Sequence, residues 1–206
     1  MLLLVLLLLS CFIVVSIGLF SAWLYTYRVF TQRTLIGEIE VSEIKIDENY
    51  NQYFELTYKQ YKKQNALETW ILGNRNEESN QIEYEKSFKI YGDQFWIGGP
   101  IIKFHDGLIL LNFQTIYKIG EIGGKYTDLE KEKQKTIDKF SVFALNNGYE
   151  DWKEIQNDLQ SENFKSKIYN LLIDSMQLTS AGKFVNNMPQ KYILYITNTG
   201  FFLDEK

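Results

Sequence analysis

His105 and Asp106 form an adjacent His–Asp pair around the chain's one histidine. Neighbours in a strand point to opposite faces, so adjacency alone does not make a proton relay. Gly107 follows, and the pair reads as a loop histidine beside a turn. Glu38 with Glu40, and Glu83 with Glu85, are spaced two apart and share a strand face. Paired carboxylates suit the acid–base work of glycoside hydrolysis, but exposed strand faces carry such pairs routinely. Gly98-Gly99 and Gly123-Gly124 read either as anion cradles made of backbone N–H groups or as tight bends in a sheet. The bends are the simpler reading. Walker A, GxGxxG, GxSxG and CxxC patterns are absent from the sequence. A single cysteine, Cys11, excludes an internal disulfide and a Cys-only metal cage. A single histidine excludes an HExxH site. The sequence therefore assigns no catalytic, cofactor-binding or metal-ligating residue and implies no cofactor. With 22 Lys plus Arg against 26 Asp plus Glu, the net charge of −4 gives no basic surface for nucleic acid.

The segment ahead of these residues sets their surroundings. From Leu2 to Tyr27 no side chain is charged. As a helix these residues rise about 39 Å, enough to cross a hydrocarbon core of about 30 Å with some tilt. Sixteen of them are Leu, Ile, Val or Phe, which together favour insertion by roughly 6 kcal/mol. Trp23, Tyr25 and Tyr27 stand where an interfacial aromatic belt belongs, and Arg28 and Arg33 follow. A cleaved signal peptide would need a basic start and a shorter apolar core. Leu8-Leu9-Ser10-Cys11 loosely resembles a lipobox, but apolar sequence continues well past Cys11. The expectation is an uncleaved anchor at 1–27, a juxtamembrane segment at 28–34 and a β-rich domain at 35–206. By the positive-inside bias Arg28 and Arg33 favour the cytoplasmic side for the domain, although Glu38, Glu40 and Glu43 follow closely, and the periplasmic side is the alternative.

The remainder alternates with a period of two, as half-buried strands do. Ile39 and Val41 alternate with glutamates, and Ile44 and Ile46 resume one step out of phase, which predicts a bulge. Phe54, Leu56 and Tyr58 share a face within 53–61. Leu67 to Leu72 reads as a short strand and 73–80 as a polar loop. Strands are expected at 84–90, 94–97, 101–104, 141–145, 177–185, 191–197 and 201–203, with alternation through 115–126. The charged stretch 128–139 reads as an exposed loop or short helix. Trp152, Ile155 and Leu159 fall on one helical face, while 164–176 is ambiguous between helix and strand. The expected fold is α+β: mainly antiparallel sheet or small barrel with one or two packing helices, preceded by one transmembrane helix. Tyr53, Tyr58, Tyr61, Tyr84, Tyr91, Tyr117, Tyr126, Tyr192 and Tyr195 all fall in strand candidates. They are read as core residues with wet hydroxyls, with an exposed aromatic contact face as the rival.

The central block, Gly92-Asp93-Gln94-Phe95-Trp96, Ile102-Lys103-Phe104, Gly107-Leu108, Tyr117-Lys118-Ile119 and Gly123-Gly124-Lys125-Tyr126-Thr127-Asp128, resembles an uncharacterised family of proteobacterial membrane-anchored proteins. Their members read GDQW, LKW, GLD, YRL and SGRY in this block, and many are catalogued as cation/multidrug efflux pump or multidrug transporter proteins. The opening (Thr34-Leu35-Ile36-Gly37 after the apolar run) and the close (184–202) are similar too. This chain differs in placing Phe95 between Gln94 and Trp96, in Gly98-Gly99-Pro100, and in having lysines where arginines are common. The resemblance carries over no catalytic residue.

Transporters build their path between several helices. One span without an ionisable residue has no coupling site inside the membrane. The resemblance therefore implies at most an accessory of a transport complex, unable to transport alone. The sequence reads as a single-pass protein of the bacterial inner membrane, not an enzyme, that binds or scaffolds a membrane-protein partner. Its bilayer contact is Leu2 to Tyr27, and it binds no nucleic acid. The alternative is an enzyme acting on a membrane-proximal substrate through carboxylates such as Asp93 and Asp106 near the Gly-rich bends.

Overall fold

The structure is a computed structural model that describes residues 2–61, 82–134, 138–142, 149–161 and 164–206. The expected strand at 67–72, the loop at 73–80 and the turn at 146–148 lie outside the described residues. Helix α1 (Leu2–Phe30) carries the apolar run and continues three residues past Tyr27. Its Leu9–Phe30 stretch is long and apolar enough to cross a membrane. Within that stretch only Val29 is buried, so nearly the whole stretch is left bare by the rest of the chain.

Two antiparallel sheets follow. The first orders β11 (Gly200–Glu205), β10 (Gln190–Thr197), β1 (Thr34–Val41), β3 (Gln52–Tyr61) and β4 (Ile82–Tyr91), with β2 (Lys45–Ile46) also paired to β3. The chain breaks between β1 and β2 instead of bulging there. The register shift lies earlier, between Leu35 and Gly37 opposite β10. The second sheet centres on β5 (Gln94–Phe104). One edge of β5 pairs with β9 (Ile173–Phe184), and the other with β6 (Ile116–Tyr117) and β7 (Glu121–Lys125), the latter extended by β8 (Lys139–Ser141). Short helices α2 (Asp106–Leu110) and α3 (Leu129–Gln134) and the pair α4 (Tyr149–Gln160) and α5 (Phe164–Leu172) lie between strands. The fold is α+β with mainly antiparallel sheet, as the alternation requires.

The two expected strands 94–97 and 101–104 are one continuous strand. Pro100 does not break it, because it sits opposite the gap between β6 and β7, where no ladder N–H is required of it. Its carbonyl still accepts from the Lys118 N–H at 3.1 Å. The ambiguous stretch 164–176 is both elements in turn, α5 and then the first residues of β9.

The sheets curl around one core. Phe54, Leu56 and Tyr58 of β3 and Ile39 of β1 meet Phe95, Ile97 and Ile101 of β5, all essentially inaccessible to solvent. The Phe95 ring lies 6.5 Å from Phe54 and 5.4 Å from Tyr192, which ties three strands together. The curl closes on both flanks. On one, the Asp138 carboxylate accepts from the Tyr91 N–H at 3.1 Å. There Gly124 passes so near β4 that a Cβ would collide with the Tyr91 carbonyl oxygen, so only glycine lets the backbones approach. On the other flank, Gly200 (φ 139°) turns β10 into β11 directly against Thr179 of β9.

Candidate functional site

β1 starts beside the end of α1, and β5 runs back toward it, so one end of the half-barrel faces the helix. Three residues, 31–33, separate α1 from β1. The last four carbonyls of a helix lack partners within it, and here Thr31 and Asn198 serve those of Tyr27 and Val29. The Thr31 N–H and hydroxyl both donate to the Tyr27 carbonyl, at 3.0 and 2.7 Å. The Asn198 side-chain amide, from the β10–β11 turn, donates to the Val29 carbonyl at 3.3 Å. The other end of the same amide accepts from the Thr115 hydroxyl at 3.3 Å. Lower on the helix, the Tyr25 hydroxyl donates to the Leu110 carbonyl of α2 at 2.8 Å. Domain and helix are thus joined at two levels. Between them lies a cleft lined by Val29, Gln32, Ile109, Asn112, Thr115 and Asn198, among others. Its volume of about 20 Å³ suits a bound water.

The sequence singled out none of Asn198, Thr115 or Asn112. An isolated polar residue in a turn has no periodic signal, and its role appears only when the turn meets the helix end.

The residues that sequence reading did single out are dispersed. Asp93 and Asp106 lie at opposite ends of β5, roughly 35 Å apart at the usual strand rise. They do not converge, which removes that pair from the enzyme alternative. Asp93 instead accepts from the Thr127 N–H at 2.8 Å, holding the turn after β7. His105 does meet an aspartate, but it is Asp174 at 3.7 Å, brought up by β9. Its other ring nitrogen faces the Asn170 carbonyl at 3.1 Å and must donate there. Lys103 bridges Asp174 at 3.4 Å and Asp106 at 3.9 Å. This is a half-exposed charge cluster tying α5 and β9 to β5. Gly98 and Gly99 are extended strand residues; their neighbours Thr179 and the Lys118 carbonyl leave no room for an anion. Among the described residues no three His, Cys, Asp or Glu side chains gather to hold a metal. Cys11 is exposed on α1.

The glutamate pairs build an ion lattice across the outer face of the first sheet. Glu40 accepts from Lys191 at 2.9 Å and from Lys59 at 3.1 Å, and Lys59 also reaches Glu85 at 3.6 Å. Glu38 accepts from Lys206 at 2.9 Å. The Lys191 and Lys59 bonds hold the Glu40 carboxyl below the usual carboxylate range, and Lys206 does the same for Glu38. Such groups stabilise the fold above the ordinary glutamate range, and that contribution disappears as pH falls through their lowered values. Glu40→Gln is therefore expected to cost about 1 kcal/mol or less at neutral pH and to flatten the acid limb of stability. Thermal melting of both forms between neutral pH and pH ~3 checks this; parallel limbs would remove Glu40 from the lattice.

None of the nine tyrosines forms an exposed aromatic face. Tyr58, Tyr126 and Tyr192 are buried and the other six half-buried. Burial pushes the Tyr117 hydroxyl up to about 12; burial and the Glu38 carboxylate do the same for Tyr61. The aromatic contact that does reach the surface lies beside the helix end, where the Arg33 guanidinium stacks 4.4 Å over the Phe202 ring. Phe202 faces Tyr195 across the β10–β11 ladder, and Tyr195 faces Leu35.

Comparison with protein-family models, with curated proteins and with solved structures finds no match to this chain.

Proposed function

We propose that the chain is a single-pass protein of the bacterial inner membrane whose domain binds or scaffolds a membrane-protein partner, as an accessory of a transport complex that cannot transport alone. The observation that carries this reading is the double attachment of the domain to α1, through Tyr25–Leu110 and Asn198–Val29. A domain on a flexible tether samples many orientations. One clamped to its helix end presents one surface at a fixed height above the bilayer, which lowers the ordering cost of a lateral contact. The partner surface in this reading is Arg33 and Phe202 beside the helix exit, with the half-buried Tyr195 next to them. Arginine and aromatic side chains dominate the energetics of protein interfaces. The positive-inside bias of Arg28 and Arg33 supports a cytoplasmic domain in this reading.

The test is affinity purification of the full chain in mild detergent beside the double variant Arg33→Ala, Phe202→Ala. The expected result is a multi-span protein recovered in fixed ratio with the native chain and several-fold less with the variant. Equal recovery with both forms would overturn the patch, and a chain that purifies alone would overturn the reading. A C-terminal green fluorescent fusion is expected to fluoresce, and a C-terminal alkaline phosphatase fusion to be inactive; the reverse pattern puts the domain outside.

A further inference from the structure

The domain carries a second apolar surface that continues from α1. Tyr25 lies five residues before Phe30, about 8 Å down the helix axis, and its hydroxyl holds the Leu110 carbonyl. The tip of α2 is therefore fixed at the level of Trp23, Tyr25 and Tyr27, where a bilayer has its headgroups. The residues just beyond Leu110 do not turn inward. Leu111 is 70% exposed, and Phe113 is exposed too. Asn112 between them takes a left-handed conformation (φ 68°), which turns the chain sharply at this tip.

The apolar surface continues onto α5. The Leu172 carbonyl accepts from the His105 N–H at 3.2 Å, which joins the end of α5 to the start of α2. Phe104, paired with Ile173 just after α5, packs its ring 5.7 Å from Phe113. Along α5, Phe164, Ile168, Leu171 and Leu172 fall at helical spacing on one face, and all four are exposed, Phe164 by 78% and Leu171 by 74%. The opposite face is the one turned inward: Ser166 is buried, and its hydroxyl donates to the Leu159 carbonyl of α4 at 3.4 Å. A soluble amphipathic helix turns its apolar stripe to the core. This one turns it out, with Lys167 exposed beside it. A short helix with an apolar outer stripe and flanking lysine suits the boundary between headgroups and acyl chains.

The geometry points to a lipid surface as the occupant: the α2 tip and the outer stripe of α5 lie in the bilayer interface as a second, peripheral contact, and the domain rests on the membrane next to its own helix. This rests on the reading that α1 spans. The contact is continuous with that of α1, and the Tyr25 bond sets its height.

The test uses the full chain with Cys11→Ser, reconstituted in phosphatidylcholine vesicles, with spin labels placed by single substitutions. Leu111→Cys and Leu171→Cys probe the surface. Val15→Cys reports the helix. Tyr50→Cys, on a residue 90% exposed in the loop before β3, reports water at the far end. The expected result is an oxygen-to-nickel-chelate collision ratio at 111 and 171 several-fold above that at 50 and below that at 15. Ratios at 111 and 171 equal to that at 50, with 15 still lipid-buried, would overturn the surface contact while leaving the anchor standing. A water-like ratio at 15 would overturn the anchor and the surface contact together.

Discussion

Phe95→Ala is expected to destabilise the domain by about 3–5 kcal/mol, the usual cost of deleting a fully buried aromatic side chain. The residue is 1% exposed and sits where both sheets meet. Its ring packs on Phe54 of the first sheet and on Tyr192 two strands away. The two rings packed on it are themselves held in their strands, so the vacated volume is left largely unfilled. Against a total stability of about 5–15 kcal/mol this is a large fraction. For a domain of this size it corresponds to a fall in melting temperature on the order of 10 °C. Near-ultraviolet circular dichroism of the detergent-solubilised full chain measures it, with Leu129→Ala on an exposed residue of α3 as the neutral reference. A loss under ~1 kcal/mol would mean that the two sheets do not share one core.

Phe95 also shows what is legible in one dimension and what is not. The alternation in 53–61 places Phe54, Leu56 and Tyr58 on one face, and all three are buried. That pattern is local, so it survives folding. Phe95 lies in an equally clear strand, but Gly98, Gly99 and Pro100 after it suggest a break at 98–100 that the fold does not make. A Pro at the gap between two partner strands is harmless, and no local pattern reveals where that gap falls. The tyrosines teach the same lesson from the other side. Strict alternation leaves some of them outward, whereas curling the sheets into a half-barrel covers all nine at least partly.

The candidate site was less legible than the core. His105 was visible as a chemistry-bearing residue, but its partner Asp174 lies 69 positions away and arrives by β5–β9 pairing. Asn198 caps a helix that ends 168 residues earlier. Helix caps are usually supplied by neighbours in sequence, so a cap delivered from another hairpin leaves no short-range signature. The exposed stripe of α5 is readable as amphipathic, but sequence alone assigns such a stripe to the core by default. Only the tertiary position of α5 shows the stripe facing out.

Val14→Arg together with Ile17→Arg is expected to release the chain from the membrane. The apolar run favours insertion by roughly 6 kcal/mol, and each arginine near the helix centre costs about 2.5–3.5 kcal/mol on the same scale, besides the lost Val or Ile contribution. The two changes together cancel the preference. Both residues are exposed in the middle of α1, far from Val29 and the domain, so neither change disturbs a packed contact. The long side chains cannot escape by snorkelling, because they sit roughly 20–24 Å from the helix end at Phe30. Carbonate extraction of cell membranes is the measurement. The native chain is expected in the pellet, and the double variant in the supernatant or degraded. The decisive comparison is Val14→Lys alone: at about half the cost it leaves the balance favourable, and the chain is expected to stay in the pellet. If the double variant also stays in the pellet, α1 is not what holds the protein to the bilayer, and the anchor is overturned, because carbonate releases a merely peripheral contact such as that of α2 and α5.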